Sequence, residues 1–400
     1  MSNANNKKIV NNYQNNKLLD NIIIKFFPDI KKKPVFLKIY NYITKKFSTK
    51  KLPKKLPKIK SIMINYEKIK LIPYINSNIN KINILNPIGS GGYGKVYKTS
   101  NDTILLKIIT EKSNSEDEYN RDREFKSLIF HYLLYKYYEK TENIKYLCKL
   151  NEFGVIEKNK WYAFMENCGL DLLNKFKKKN DEPDFDTLLK IFYECCKALK
   201  IIHDLEYLHL DIKPENFLMK DDQIKIIDFG MVKKNKFITD ISFGTMDYIP
   251  NDWLKNSSDE KNTTLEYHHD IFSLGCMFII LLYKFIIKKN ILMVCPLKIN
   301  IGIYKNNIYN SRKEYNIKQF NSMCNNIKDD LNKGINKESN EGKIRNINNI
   351  FSINLIKMMV HPDPKERCND INEIIKYLDY IFINNTRIPN NNIEKSNKNN

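Results

Sequence analysis

The residues best suited to chemistry stand in four short stretches. The first is Gly89-Ser90-Gly91-Gly92-Tyr93-Gly94-Lys95-Val96. A run this rich in glycine lets backbone N–H groups approach phosphate oxygens, because no Cβ intervenes, although glycine clusters also make plain turns. The second is Lys107, set in the apolar run Ile104-Leu105-Leu106-Lys107-Ile108. A lysine so flanked either snorkels to water or meets a buried anion. The third is His209-Leu210-Asp211-Ile212-Lys213-Pro214-Glu215-Asn216. Here Asp211 is a carboxylate able to accept a hydrogen bond from a hydroxyl and orient it. Asn216 offers a hard carbonyl oxygen suited to Mg²⁺, and Lys213 can neutralise charge on a transferring group. The fourth is Asp228-Phe229-Gly230, a second Mg²⁺-type oxygen ligand beside a glycine that permits a sharp turn.

These stretches need elements to hold them. Ile84–Ile88, Lys95–Lys98 and Ile104–Ile109 are short apolar or β-branched runs between Gly, Ser, Asn and Asp, and they read as strands. The glycine run therefore lies between two strands, which disfavours a dinucleotide-binding turn. Arg121–Tyr138 has apolar residues at helical spacing and reads as a helix. It carries Glu124, a suitable ion-pair partner for Lys107, with Glu118 as the competing choice. Trp161–Met165 and Ile224–Ile227 read as strands, and Asp186–Leu205 and Asn369–Ile383 as amphipathic helices. Ile271–Ile287 is too short and too interrupted by Lys284 for a membrane span, so it reads as a buried core helix.

Composition bounds the rest. The chain has 400 residues and a net charge of +21, ample to bury a large core. Residues 1–80 hold eighteen Lys against three acids, a balance of +15. They read as a Lys-rich extension with partial helix at most, interrupted by Pro34, Pro53 and Pro57. Residues 31–60 could meet a polyanion such as nucleic acid, an anionic membrane or an acidic partner. Asn- and Lys-rich residues 305–350 read as a long insertion, and 386–400 as a polar tail. The eight cysteines form no C-x-x-C pair and read as scattered free thiols. Adjacent His268 and His269 are not expected to converge on one metal from a helix. The N-terminus is polar and not a signal peptide. An intracellular chain is expected, cytoplasmic, with nuclear entry open through the basic segment.

In order, the glycine run, Lys107, Glu124, H-x-D-x-K-x-x-N and D-F-G resemble the eukaryotic protein kinases. Gly244-Thr245-Met246-Asp247-Tyr248, Asp270-Ile271-Phe272-Ser273-Leu274-Gly275 and His361-Pro362-Asp363-Pro364-Lys365-Glu366-Arg367 agree with later parts of that pattern. The resemblance implies an α+β bilobal fold over residues 81–385. A β-rich N-lobe would span 81–165, a hinge 166–169, and a helical C-lobe 170–385. It implies ATP and Mg²⁺ as cofactors. Ile88, Gly89, Ser90, Gly91, Gly92, Tyr93, Gly94 and Val96 would cover the nucleotide, and Lys107, held by Glu124, would bind its phosphates. Met165 would back the adenine, with Glu166 and Cys168 in the hinge. Asn216 and Asp228 would hold the metal, and Asp211 and Lys213 would act on the transferring group. Lys213 and Thr245 resemble the serine/threonine branch, implying Ser or Thr hydroxyls of protein substrates. The stretch Asp211–Leu218 is somewhat similar to the casein kinase one group. The richness in Lys, Asn, Ile and Tyr fits A/T-rich coding, as in protists and large DNA viruses.

Three departures stand out. Leu210 replaces the arginine that normally pairs with a phosphorylated activation loop. Activity is therefore expected not to require phosphorylation of Thr239 or Ser242. Leu105 stands where a small alanine usually packs on adenine. Pro250-Asn251-Asp252 replaces A-P-E, with Asp252 still able to pair with Arg367. A pseudokinase, binding without turnover, is the alternative reading, against which stand Lys107, Asp211, Asn216 and Asp228 together.

Overall fold

The structure is a computed structural model that describes residues 60–64, 67–73, 82–91, 94–109, 117–156, 160–177, 182–259, 261–288, 315–333 and 340–387. Residues 31–59 of the basic segment, and the tail beyond 387, lie outside the described residues. The chain divides into two compact units, 1–168 with 227–230, and 169–226 with 231–400.

The first unit is built on one antiparallel sheet. Its strands are β1 (Lys60–Ile64), β2 (Glu67–Pro73), β3 (Ile84–Gly91), β4 (Gly94–Thr99), β5 (Ile104–Ile109), β6 (Leu150–Ile156) and β7 (Lys160–Glu166). They lie in the order β1-β2-β6-β7-β5-β4-β3. Leu106, Ile108, Tyr162 and Phe164 come from β5 and β7 and form its core with Tyr97 and Ile156. The buried Glu152 carboxylate accepts the Tyr162 hydroxyl at 2.8 Å, so this apolar layer carries a polar pair that satisfies itself. Helix α1 (Asp117–Tyr138) buries Leu128, Ile129, Tyr132 and Leu133, the helical spacing read in the sequence. Tyr132 meets Phe153 of β6 at 5.9 Å between ring centroids.

Two expectations change here. Residues 60–73 are not part of a strandless extension: β1 and β2 form a hairpin, with Ile62 opposite Ile69, and β2 pairs with β6. The K-I-K-L-I alternation fits a strand, but the surrounding lysines hide it. Cys148 and Cys168 are joined as a disulfide, with Cα atoms 6.3 Å apart, so the expectation of free thiols fails for this pair. They meet because Glu166 N–H donates to the Lys149 carbonyl at 2.8 Å, which zips their two segments together. Cys195, Cys196, Cys276, Cys324 and Cys368 are free and buried.

The second unit is mainly helical. It runs β8 (Leu170–Asp171), α2 (Leu172–Lys175), α3 (Phe185–His203), β9 (Tyr207–Leu208), β10 (Phe217–Lys220), β11 (Gln223–Ile226), β12 (Lys233–Lys234) and β13 (Phe237–Thr239). Then follow α4 (Asn251–Ser258), β14 (Thr263–Leu265), α5 (Tyr267–Leu281), α6 (Ile317–Asn332), α7 (Asn340–Met359) and α8 (Ile371–Arg387). The run Tyr267–Ile287 is long and apolar enough to cross a membrane, against the sequence reading that it is too short, but most of it is buried inside this unit, as that reading expected. Gly275 is required on α5, since a Cβ there would lie 2.5 Å from Val360.

Within the insertion read over 305–350, residues 317–332 and 340–350 are helical, a periodicity the sequence reading missed. Asn316 caps α6 by accepting from Lys318 N–H and Gln319 N–H, and Gln319 returns a bond to the Asn316 N–H. Phe320, Met323, Cys324, Ile327 and Leu331 are buried on one face. Asn and Lys fill the other positions and mask that period.

Candidate active site

The stretch His209–Asn216 is placed by a buried acid. Asp270, at the start of α5 and fully buried, accepts the backbone N–H groups of His209 and Leu210, both at 2.7 Å. His203 Nε2 lies 2.9 Å from the same carboxylate. Burial alone would raise the Asp270 pKa, but His203, His209 and the Leu210 N–H together outweigh it and the carboxyl is held below its usual range. An ionised acid in the core thus pins the loop at a residue with positive φ, Leu210 at 63°. Sequence reasoning used Asp270 only as a motif letter; a lone acid at the head of an apolar run was the signal for its anchoring role.

Asp211, Lys213, Asn216 and Thr245 are brought together. Asp211 Oδ1 accepts the Thr245 backbone N–H at 3.0 Å and its hydroxyl at 2.6 Å. Its Oδ2 lies 2.9 Å from Lys213 Nζ and accepts from Asn216 Nδ2 at 3.0 Å. Lys213 also donates to Thr245 Oγ1 at 2.7 Å, which closes a ring of three side chains. The Asp211 carboxyl is buried, which would raise its pKa, but first Lys213 and then Thr245 outweigh this and hold it below the ordinary carboxylate value. Asp211 is therefore ionised at neutral pH. Asn216 spends its Nδ2 on the Asp211 carboxylate and backbone carbonyl, so its amide oxygen is the group left to face a cation. The contact between Thr245 and Asp211 is the one expected.

In the first unit, β3 and β4 form the glycine hairpin, with Gly89 opposite Val96 and Gly91 opposite Gly94. A Cβ on Gly94 would lie 2.3 Å from the Ile108 carbonyl, so glycine is needed there for packing. A Cβ on Gly89 would meet nothing within 4 Å, which leaves space beside that backbone. Lys107 lies on β5 between Val96 and Ala163, and Leu105 lies opposite Met165. Ile88 is exposed on β3. Gly92 and Tyr93, and the side chains of Ser90 and Glu124, lie outside the described residues, so the Lys107–Glu124 pair does too. Glu166 ends β7, with Oε2 accepting from Lys149 N–H at 2.9 Å, and Cys168 follows in its disulfide. Asp228 has φ 65° and accepts the Gly230 N–H at 3.3 Å. Next to it Phe229 is buried against Phe130 and His131 of α1, with ring centroids 5.5 and 5.1 Å away.

Asp252 does pair with Arg367, at 2.9 Å, with the guanidinium wholly buried. The ligand atoms of Asp252, His268 and His269 lie within 4.8 Å of one another. The expectation that the two histidines would not converge therefore fails; their imidazoles stack with centroids 4.1 Å apart, and Arg367 already holds the carboxylate. This cluster is a buried ion pair flanked by neutral rings. His268 is pushed down to about 3, first by burial.

Residues 82–378 fit the family described as protein kinase domain. The chain is a member of the protein kinase family. It is similar to Cyclin-dependent kinase-like 1 of Caenorhabditis elegans, 29% identical over 208 residues, covering 50% of this chain and 54% of that protein. An Aurora kinase of Yarrowia lipolytica is 29% identical over 224 residues, 53% of each chain. Dual specificity protein kinase TTK of Mus musculus is 26% identical over 211 residues, 50% of this chain and 24% of that protein. The kinase chain thus spans about half the length of two of these relatives and a quarter of the third.

Proposed function

We infer that this kinase transfers the γ-phosphoryl group of Mg-ATP to Ser or Thr hydroxyls of proteins. The observation that carries the reading is Asp211, ionised and held at both oxygens by Thr245, Lys213 and Asn216. An ionised carboxylate so fixed accepts a hydrogen bond from an incoming hydroxyl and orients it. Lys213, with two anchors, places a positive charge beside the same point and stabilises charge on the transferring group. Asn216 and Asp228 are hard oxygen donors of the kind Mg²⁺ takes. The space beside Gly89 and the ammonium of Lys107 on the neighbouring part of the sheet fit a phosphate chain. When bound, Mg-ATP supplies the phosphoryl group and the metal charge that neutralises it.

The choice of Ser and Thr rests on Lys213 and Thr245 forming one unit with Asp211. Phosphoamino-acid analysis of a labelled peptide library tests it: phosphoserine and phosphothreonine are expected, and a product dominated by phosphotyrosine contradicts it. A cytoplasmic place, with nuclear entry through residues 31–60, belongs to the same reading. So does a polyanion partner for that segment, which loss of salt-dependent DNA or vesicle binding on deleting residues 1–59 would support.

A further inference from the structure

The activation segment, residues 231–250, faces a catalytic loop in which Leu210 has replaced the arginine that would meet a phosphate. What holds the segment is visible in the packing. Leu208, Leu210, Ile249, Trp253, Leu254 and Leu265 form one buried apolar cluster, with Met231, Phe243 and Tyr267 packed against it. The Phe243 ring stands edge-on to Trp253, with centroids 5.1 Å apart. Trp253 Nε1–H donates to the Ile241 carbonyl at 3.2 Å, and Ser257 Oγ accepts from Ser242 N–H at 2.9 Å. On the other side, Lys233 Nζ lies 5.0 Å from the Phe237 ring centroid and 5.3 Å from that of Phe243. β12 pairs with β9 so that the Lys233 backbone lies opposite Leu208, one residue before His209.

Two facts make these contacts more than filler. Lys233 forms no ion pair among the described residues, and burial pulls its pKa below the ordinary lysine value. A half-buried cation with no carboxylate takes its compensation from aromatic faces. Phe243 is also followed by Gly244 at φ 107°, where a Cβ would lie 2.5 Å from the Leu210 carbonyl. The next residue is Thr245, whose N–H and hydroxyl hold Asp211. Whatever fixes Phe243 therefore fixes, two residues on, the group that aims the carboxylate. Meanwhile Thr239 is buried, its hydroxyl donating to the Ile241 carbonyl at 3.1 Å, a poor place for a phosphate.

We propose that an aromatic latch, Phe243 on Trp253 and the Leu210 cluster with Lys233 across Phe237 and Phe243, holds the activation segment in its ordered form in place of a phosphate bridge. Lys233 and Phe243 are positioning residues, acting on Asp211 through Gly244 and Thr245. The effect on turnover rests on the kinase reading above; the effect on order does not.

The test uses the full chain, phosphatase-treated and shown phosphate-free by intact mass. Hydrogen exchange across residues 231–250 is measured beside kcat and both KM values on a peptide substrate. Wild type should be protected there and active. Phe243→Ala should lose protection and about tenfold in kcat, with KM for ATP unchanged. Lys233→Met should lose about threefold, restored by Lys233→Arg, which keeps a cation over the rings. If Phe243→Ala fails to fold, the Lys233 pair decides the matter. An unprotected segment in phosphate-free wild type, unchanged exchange in Lys233→Met, or a kcat raised by acidic residues at Thr239 and Ser242 would overturn the latch. Protection that follows the variants in a chain without turnover would keep the latch and remove the kinase reading instead.

Discussion

The loop around Asp211 and the segment around Phe243 lie in one unit and are held mainly by different kinds of force. Around Asp211 the contacts are polar and directional: two oxygens meet four donors, one of them an ammonium, between 2.6 and 3.0 Å. Around Phe243 the contacts are ring faces, ring edges and aliphatic side chains. The loop has to aim a charge, and only hydrogen bonds with fixed angles do that. The segment has only to stay in place, and area removed from water suffices. Asp270 and Gly244 connect the two, one pinning the loop from below and the other laying the segment on the Leu210 carbonyl.

The comparison breaks most visibly where a polar pair sits in an apolar setting. Asp252→Asn leaves the buried Arg367 guanidinium without its carboxylate, and should cost about 3 kcal/mol of stability, read as a fall in the denaturant midpoint. Burial raises the Asp252 pKa, but its neighbours, Arg367 first, together outweigh it and the carboxyl is held below its usual value. The stabilisation is therefore complete above about pH 4 and lost as pH falls through the folded value. Wild type and variant should converge in acid; a gap that persists below that range would contradict the ion-pair account.

Lys213→Met probes the polar side directly. Turnover should fall on the order of a hundredfold. Lys213 is the first of the groups that hold the Asp211 pKa down, so the acid limb of the kcat/KM profile should move to higher pH in the variant. An unmoved limb would mean that Asp211 is not the titrating group. The smallest effect is expected on the apolar side: removing all phosphate from the chain should leave kcat unchanged, as measured after phosphatase treatment. A loss would place the activation segment under the same electrostatic control as the loop.

The two regions also differed in how far the sequence disclosed them. Asp211, Lys213, Asn216 and Thr245 were legible because their chemistry is carried by residue type at short spacing, and the fold brings the four together. The alternation and periodicity of β3 to β7, α1, α3 and α5 were legible for the same local reason. The latch was not, since Lys233, Phe237, Phe243 and Trp253 are joined by packing that no spacing rule encodes. Composition hid the rest: lysines obscured the β1–β2 hairpin, and Asn and Lys obscured α6. Cys148 and Cys168 became partners only through the pairing of Lys149 with Glu166.

The central claim is that Asp211 serves phosphoryl transfer. It is tested most directly by incubating the full chain and its Asp211→Asn variant with γ-labelled ATP, Mg²⁺ and a Ser/Thr peptide library, while following nucleotide binding to both. The account predicts labelled peptide from wild type, a loss of on the order of a thousandfold in the variant, and nucleotide binding in both. Nucleotide bound by both proteins with no label transferred by either would contradict it and leave a binding module with a kinase fold.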